Sequence, residues 1–321
     1  MSTIRFESVS KQYPRAARPA VDACSFSVQP GSLTVILGPS GCGKTTLLKL
    51  VNRLVEPTSG AIYLDEADIR QIEATLLRRQ IGYVIQQAGL FPHMTVAANI
   101  AVVPRLLGWT AERIETRVDE LLTLIDLPPE EYRRRYPAQL SGGQQQRVGL
   151  ARALAGDPRI MLMDEPFAAV DAIARANLQD ALVQLRRTIR KTILFVTHDV
   201  EEALRLADHI VVLREGRIEQ ADTPFNILTR PANHFVHELI GASDIVRQLS
   251  LLGIEQIMEP LPAGYTEYDQ PAIAFDSNLR QALSTLLRSG ASAVTVMRDN
   301  RPVGIVTLDR LRASAREVER A

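Results

Sequence analysis

Between an apolar run, Val35-Ile36-Leu37, and a helical pattern, Thr46-Leu47-Leu48-Lys49-Leu50, the chain carries Gly38-Pro39-Ser40-Gly41-Cys42-Gly43-Lys44-Thr45. Few local sequences restrict a fold so strongly. The glycines let successive backbone N–H groups converge on one centre, and the helix start adds roughly half a positive charge there. The spacing matches the phosphate-binding P-loop pattern, in which the lysine reaches the β/γ-phosphates of a nucleotide and the hydroxyl ligates Mg²⁺. Gly38, Pro39, Ser40, Gly41, Cys42, Gly43, Lys44, Thr45 and Thr46 are therefore candidate nucleotide-binding residues, with Lys44 also a catalytic candidate. A glycine-rich turn without a ligand is the weaker reading, because the strand before the loop and the helix after it supply the expected context.

Further runs repeat the strand–polar pattern. Ile81-Gly82-Tyr83-Val84-Ile85 precedes Gln86, and Ile160-Met161-Leu162-Met163 ends at Asp164-Glu165. Thr192-Ile193-Leu194-Phe195-Val196 ends at Thr197-His198, and Ile210-Val211-Val212-Leu213 leads to a Glu215-Gly216 turn. Several of these runs are apolar without alternation, as strands covered on both faces are. Helical patterns lie between them, so the class is α/β, with ligands expected at the strands' carboxyl ends. Acids at the mouth of a buried strand suit metal holding by Asp164 and activation of water by Glu165. From about 88 to 150 the pattern is helical, broken at Pro128-Pro129 and Pro137.

Composition bounds the function. A chain of 321 residues holds one large domain and a small one. Lys plus Arg (37) equals Asp plus Glu (37), which argues against non-specific nucleic-acid binding. The run Arg133-Arg134-Arg135 reads as a solvated helix end or turn. Cys24 and Cys42 are the two cysteines, and Cys42 inside the loop suits a reduced, cytosolic setting. The N-terminus lacks the apolar stretch of a signal peptide, and no run approaches the ~20 apolar residues of a bilayer span. Any membrane role is exercised from the side.

A P-loop with an acid-ended strand also fits kinases, GTPases and helicases. Leu140-Ser141-Gly142-Gly143-Gln144, continuing through Gln145-Gln146-Arg147 to Leu154, separates them. By itself this is a serine-capped helix start. Placed just ahead of the Asp164 strand, it resembles the signature motif of the ABC ATPases. The resemblance covers about residues 1–240 and implies a P-loop NTPase cassette, a RecA-like core with a helical subdomain at about 88–150, that binds ATP and Mg²⁺.

Other residues fall in that family's order. Tyr13 resembles the aromatic that stacks on adenine, with an ordinary edge tyrosine as the alternative. Gln86 resembles the Q-loop glutamine that touches Mg²⁺ and the attacking water; Gln87 competes with it. His198 resembles the switch histidine at the γ-phosphate. Asp171, in Ala168-Ala169-Val170-Asp171, resembles the D-loop acid, although the usual Ser-Ala-Leu-Asp has lost its hydroxyl. The resemblance thus implies Glu165, His198, Gln86 and Lys44 as catalytic residues. Thr45, Gln86 and Asp164 are implied metal ligands, and Ser141, Gly142, Gly143, Gln144 and Asp171 further nucleotide contacts.

One P-loop and one signature imply a head-to-tail homodimer, because in the family the two motifs of a chain face different nucleotides. Separate transmembrane permease subunits and an extracytoplasmic substrate-binding protein are implied partners, with the chain peripheral on the cytoplasmic face of the (inner) membrane. Gly89-Leu90-Phe91-Pro92-His93-Met94-Thr95-Val96 resembles the region that receives a permease's coupling helix, part of it being core. Asn52 to Gly60 and Gly89 to Trp109 look like bacterial importers of glycine betaine, choline or related quaternary amines.

Residues 241–321 form a second α/β pattern. A helix at Leu279–Leu287, a strand at Gly290–Met297, a turn at Asp299-Asn300 and a strand at Pro302–Thr307 resemble one CBS motif, implying a regulatory or dimerising domain. Asp309 follows Thr307 at two residues rather than three, which argues against adenine-nucleotide sensing. Another polar cargo is the first alternative. A soluble ABC ATPase acting on DNA or ribosomes is the second, disfavoured by zero net charge and by the short Gln86–Leu140 interval.

Overall fold

The computed structural model describes every residue except 1, 87, 169, 171, 190, 243, 262–269 and 319–321, and gives only the backbone of 172–174, 184–189, 245 and 315–318. The chain forms two compact units, Met1–Ala221 and Asp222–Ala321.

In the first unit the strands run, in chain order, β1 (Ile4–Lys11), β2 (Val21–Val28), β3 (Leu33–Leu37), β4 (Ser59–Leu64), β5 (Ala67–Asp68), β6 (Ile81–Val84), β7 (Ile160–Asp164), β8 (Thr192–Thr197), β9 (His209–Arg214) and β10 (Arg217–Asp222). The central sheet has the order β10-β9-β3-β8-β7-β6. From β9 to β6 every adjacent pair is parallel. Every residue of β3, β7 and β8 is buried, which is why these runs show no alternation. Glu215 (φ 47°) and Gly216 (φ 83°) make the two-residue left-handed turn that folds β10 back along β9.

This order places the carboxyl ends of β3, β8, β7 and β6 side by side. Gly38, Thr197-His198, Asp164-Glu165 and Gln86 therefore emerge along one edge of the sheet. Distant stretches of sequence meet there because parallel strands all point the same way.

A second sheet, β2-β1-β4-β5, is antiparallel and has no counterpart in the sequence reading. Register shifts break the β1–β2 and β1–β4 ladders, and Ser8 (φ 46°) and Ala23 (φ 48°) take left-handed backbone there. Such bulges disrupt the period of two by which a strand is recognised. The helical stretch comprises Val96–Ile100, Val102–Leu106, Ala111–Leu124, Pro129–Tyr132 and Gly142–Leu154. Arg133 and Arg135 are spent on Asp119 and Glu131, so the basic run is in large part internally neutralised. Among the described residues no helix is long and apolar enough to cross a membrane.

The second unit takes in two short helices, Pro224–Thr229 and His234–Ile240, which the sequence reading placed with the first domain. Its sheet has the order β11 (Ala272–Ala274), β12 (Ala293–Arg298), β13 (Arg301–Thr307), with β11 parallel to β12 and β12 antiparallel to β13. Helix Leu279–Ser289 connects β11 to β12 and stops at Gly290 (φ 69°), so β12 begins at Ala293, later than the expected strand at Gly290. Leu252, Ile254, Leu279, Leu286, Val294, Val296 and Val306 form this unit's own core.

Candidate nucleotide site

Lys44 opens the helix Lys44–Val51, yet only 5% of it is exposed. Its ammonium turns back over the loop and donates to the carbonyl oxygens of Gly38 (2.8 Å) and Pro39 (3.0 Å). Carbonyl acceptors leave the charge unneutralised, and the nearest carboxylate oxygen, Glu165 Oε1, stands 3.9 Å away. The loop has no spare room. A Cβ on Gly43, whose φ is 111°, would fall 2.1 Å from Ala20 O, and one on Gly38 would fall 2.2 Å from Leu213 O. Cys42 is buried, and desolvation raises its thiol pKa, so it serves here as an unreactive packing residue.

Thr45 Oγ1 donates to Asp164 Oδ1 at 2.9 Å, joining the loop to the end of β7. Burial raises the Asp164 pKa, and the Thr45 hydrogen bond only partly offsets it. A carboxylate kept short of partners beside a hydroxyl fits a hard cation that prefers oxygen ligands. The sign of the linkage is definite: Asp164 binds its proton more tightly folded than unfolded, so its ionisation costs stability as pH rises above the usual carboxylate range. Asp164→Asn should therefore raise the melting temperature of nucleotide-free protein at pH 7 by a few degrees, and the gain should fade below about pH 4. Mg²⁺-dependent hydrolysis should fall at least about a hundredfold. Calorimetry across pH and phosphate-release assays check both halves.

Glu165 follows immediately, with left-handed backbone (φ 42°) pinned by its N–H to Val196 O at 3.0 Å. Holding a non-glycine residue there costs of order 1–3 kcal/mol, and such outliers gather at functional positions. The twist turns Glu165 away from Asp164 toward three other groups. Oε2 lies 3.1 Å from His198 Nδ1 and 3.5 Å from Gln86 Nε2, while Oε1 faces Lys44. Lys44, Thr45, Gln86, Asp164, Glu165 and His198 thus form one cluster.

The segment after Gln86 is held by residues that the sequence reading gave no role. Gln146 Nε2 donates to Gln86 O (2.8 Å), and the Arg152 guanidinium donates to Ala88 O (2.9 Å) and Gly89 O (2.8 Å). Gly149, on the same helix, faces Ala88, and an added Cβ there would meet Ala88 O at 3.4 Å, an ordinary contact. Positions 146, 149 and 152 share a helix face, and that spacing is the signal that could have found them. Downstream, buried Asn99 accepts from Phe91 N and donates to the carbonyls of Phe91, Met94 and Thr95. Val96 is core and Phe91 stays exposed, as expected of a segment only partly buried.

Ser141 caps the helix Gly142–Leu154. Its hydroxyl accepts from Gln144 N–H, and Gln144 Oε1 accepts from Ser141 N–H. Gln144 Nε2 also donates to Tyr132 Oη at 3.1 Å. Among the described residues no hydrogen bond joins 141–144 to the P-loop, so the signature lies outside the cluster. Tyr13 is half-buried, with the Lys11 ammonium 5.4 Å from its ring centre. Asp171 and Gln87 lie outside the described residues.

A family model described as ABC transporter matches residues 21–168. The glycine betaine/carnitine/choline transport ATP-binding protein OpuCA of Bacillus subtilis is 45% identical over 92% of this chain and 75% of its own length. The chain belongs to the ABC transporter ATP-binding family. The cassette is also 46% identical to the glycine betaine uptake system ATP-binding protein YehX of Escherichia coli, over 92% of this chain and 94% of that protein. By contrast, the sulfate/thiosulfate import ATP-binding protein CysA of Gloeobacter violaceus, also 46% identical, matches only 74% of this chain and 68% of its own length. Among solved structures, the dimeric post-hydrolysis state of the cassette MJ0796, bound to ADP and Pi, superposes with a TM-score of 0.62. It is 32% identical and covers 69% of this chain and 98% of that one. The ABC cassette fold is therefore shown for the first unit, and the chain binds and hydrolyses ATP to drive transport.

Proposed function

We propose that this ABC ATPase powers import of quaternary-amine osmoprotectants of the glycine betaine, choline and carnitine type. One observation carries the reading: matches to ATPases of such importers run over 92% of the chain, whereas the equally identical sulfate importer match spans 74%. The ATP site itself carries no cargo information, because cargo does not pass through this subunit.

At the site, Lys44 and the loop N–H groups bind the ATP phosphates. Glu165 takes the proton of the attacking water while His198 and Gln86 fix its carboxylate. Thr45, Asp164 and Gln86 would hold Mg²⁺, which would supply neutralisation of the phosphate charge. Tyr13 packs against the base, and Asp171 serves as a further nucleotide contact. Ser141–Gln144 serve the nucleotide of a second copy in a head-to-tail homodimer. Their separation from the P-loop within one chain supports that role, as does the dimeric state of the MJ0796 cassette.

The Gly89–Val96 segment, held at its start by Arg152 and braced internally by Asn99, docks on a separate permease at the cytoplasmic face of the membrane. An extracytoplasmic binding protein delivers cargo. The domains are an ABC cassette at about 1–240 and a CBS-like regulatory or dimerising tail at 241–321. The β11–helix–β12–β13 order supports the tail's resemblance to one such motif. Co-purification with a permease, reconstitution, and ATP-dependent uptake of labelled betaine against competing amines test the reading. Uptake of sulfate or another polar solute without betaine would overturn the cargo assignment.

A further inference from the structure

The backbone under His198 is tied to a buried acid, Glu202, of which only 4% is exposed. Thr197, the last residue of β8, donates its hydroxyl to Glu202 Oε2 at 2.6 Å. The same hydroxyl oxygen accepts from the Asp199 N–H at 3.0 Å. Asp199 then caps the helix Val200–Leu206, its Oδ1 accepting from the N–H groups of Glu201 and Glu202. The helix Ala172–Ile189 packs against this one and grips both acids. Arg175 lies 3.4 Å from Asp199 Oδ2, and Gln179 Nε2 donates to Glu202 Oε1 at 3.5 Å. Positions 175 and 179 are one turn apart, so a single helix face serves both. The His198 side chain between these anchors is 53% exposed, with its ring on Glu165. Packing does little to aim so exposed a ring, and the backbone beneath it does more.

An acid is a poor choice for packing alone. Burial raises the Glu202 pKa; Thr197, Arg175 and Gln179 offset this only in part, and Asp199 adds to it. Ionised Glu202 therefore works against folding at pH 7, where an amide would not. What the carboxylate alone supplies is a fixed direction of hydrogen bonding. Arg205 donates to Gln179 Oε1 at 3.0 Å, which leaves Gln179 Nε2 facing Glu202. A carboxylate accepts at both oxygens, from Gln179 on one and Thr197 on the other. A glutamine has one oxygen and must turn its NH₂ on one of them. Against Gln179 Nε2 that sets donor on donor. Against Thr197 it makes the hydroxyl oxygen accept twice, in competition with the Asp199 N–H. We propose that Glu202 is a positioning residue for His198, holding through Thr197 the turn that aims the imidazole at Glu165. The inference rests on the role assigned above to His198.

The test measures steady-state ATP hydrolysis and melting temperature of the full chain at pH 7. Glu202→Gln should lower kcat by about tenfold or more, the worth of one hydrogen bond to a charged group. KM for ATP should stay within about twofold, because the P-loop is untouched. The melting temperature should not fall, since the buried charge is gone. Exchanging acid and amide, Gln179→Glu with Glu202→Gln, restores every donor to an acceptor: Arg205 and the new glutamine both donate to the new carboxylate, and Thr197 donates to the glutamine oxygen. That double variant should recover kcat to within about threefold of wild type. Adding Glu202→Gln to His198→Ala should cost nothing further, because both changes act through one imidazole. An unchanged kcat in Glu202→Gln, a fall matched by a lower melting temperature or a higher KM, no recovery in the exchange, or a further loss beside His198→Ala would each overturn the proposal. Normal turnover by His198→Ala would overturn the histidine's role and this inference together. A slow His198→Ala beside an unaffected Glu202→Gln would overturn the inference alone.

Discussion

Glu165→Gln is expected to leave ATP binding intact and to lower hydrolysis by roughly 10²–10⁴-fold, the usual contribution of a positioned general base. The amide nearly preserves the carboxylate's shape but cannot take a proton at neutral pH. His198 Nδ1 at 3.1 Å and Gln86 Nε2 at 3.5 Å still find an oxygen to address, so the site should stay assembled. In the proposed two-copy arrangement hydrolysis releases ATP from between the cassettes, so the variant should accumulate as an ATP-bound dimer. Phosphate release and size-exclusion chromatography with ATP read the two effects separately. Normal turnover would remove Glu165 from its role, and slow turnover without a dimer would remove the two-copy arrangement.

Gly43→Ala should be nearly as damaging, for a steric reason. Its Cβ would lie 2.1 Å from Ala20 O, backbone that cannot swing aside as a side chain could. Overpacking of this kind costs about 1–3 kcal/mol, and the loop must shift to relieve it, so ATP affinity should fall roughly ten- to a hundredfold. Gly41→Ala is the control. Gly41 also has a left-handed φ (79°), but nothing lies within 4 Å of its added Cβ. Both variants bear the backbone penalty of about 1–2 kcal/mol; only Gly43→Ala bears the clash. Equal losses in a fluorescent-nucleotide titration would mean that φ alone, rather than the approach of Ala20, sets the loop's geometry.

The cluster was legible because its members sit at or just past the ends of apolar runs or, for Lys44 and Thr45, at the end of the glycine-rich loop that one such run feeds. Gly38 follows Leu37, Glu165 follows Asp164 at the end of β7, and His198 follows Thr197. Parallel strands keep that adjacency, so a residue just past a buried run reaches the sheet's carboxyl edge without further help. The β1–β2–β4–β5 sheet was not legible, since bulges at Ser8 and Ala23 break the period of two. Gln146 and Arg152 read in the sequence only as part of the helix that continues the signature. Their partners are backbone carbonyls far away in sequence, which no side-chain pattern announces.

Sequence by itself determined the P-loop, its strand–loop–helix setting and the acids and histidine that accompany it. Those features rest on local stereochemistry: glycines where backbone must converge, apolar residues where a strand is covered on both faces. Tertiary structure decided how the cluster is wired. It turned Glu165 toward Lys44, Gln86 and His198 rather than toward Asp164, and buried Asp164 against Thr45. It also set the signature outside the reach of its own P-loop and brought Gln179 to Glu202 from one helix to another. Those outcomes depend on which strands become neighbours and on the space left between packed helices. Only the assembled chain fixes either one, because each is a distance between residues that the sequence keeps far apart.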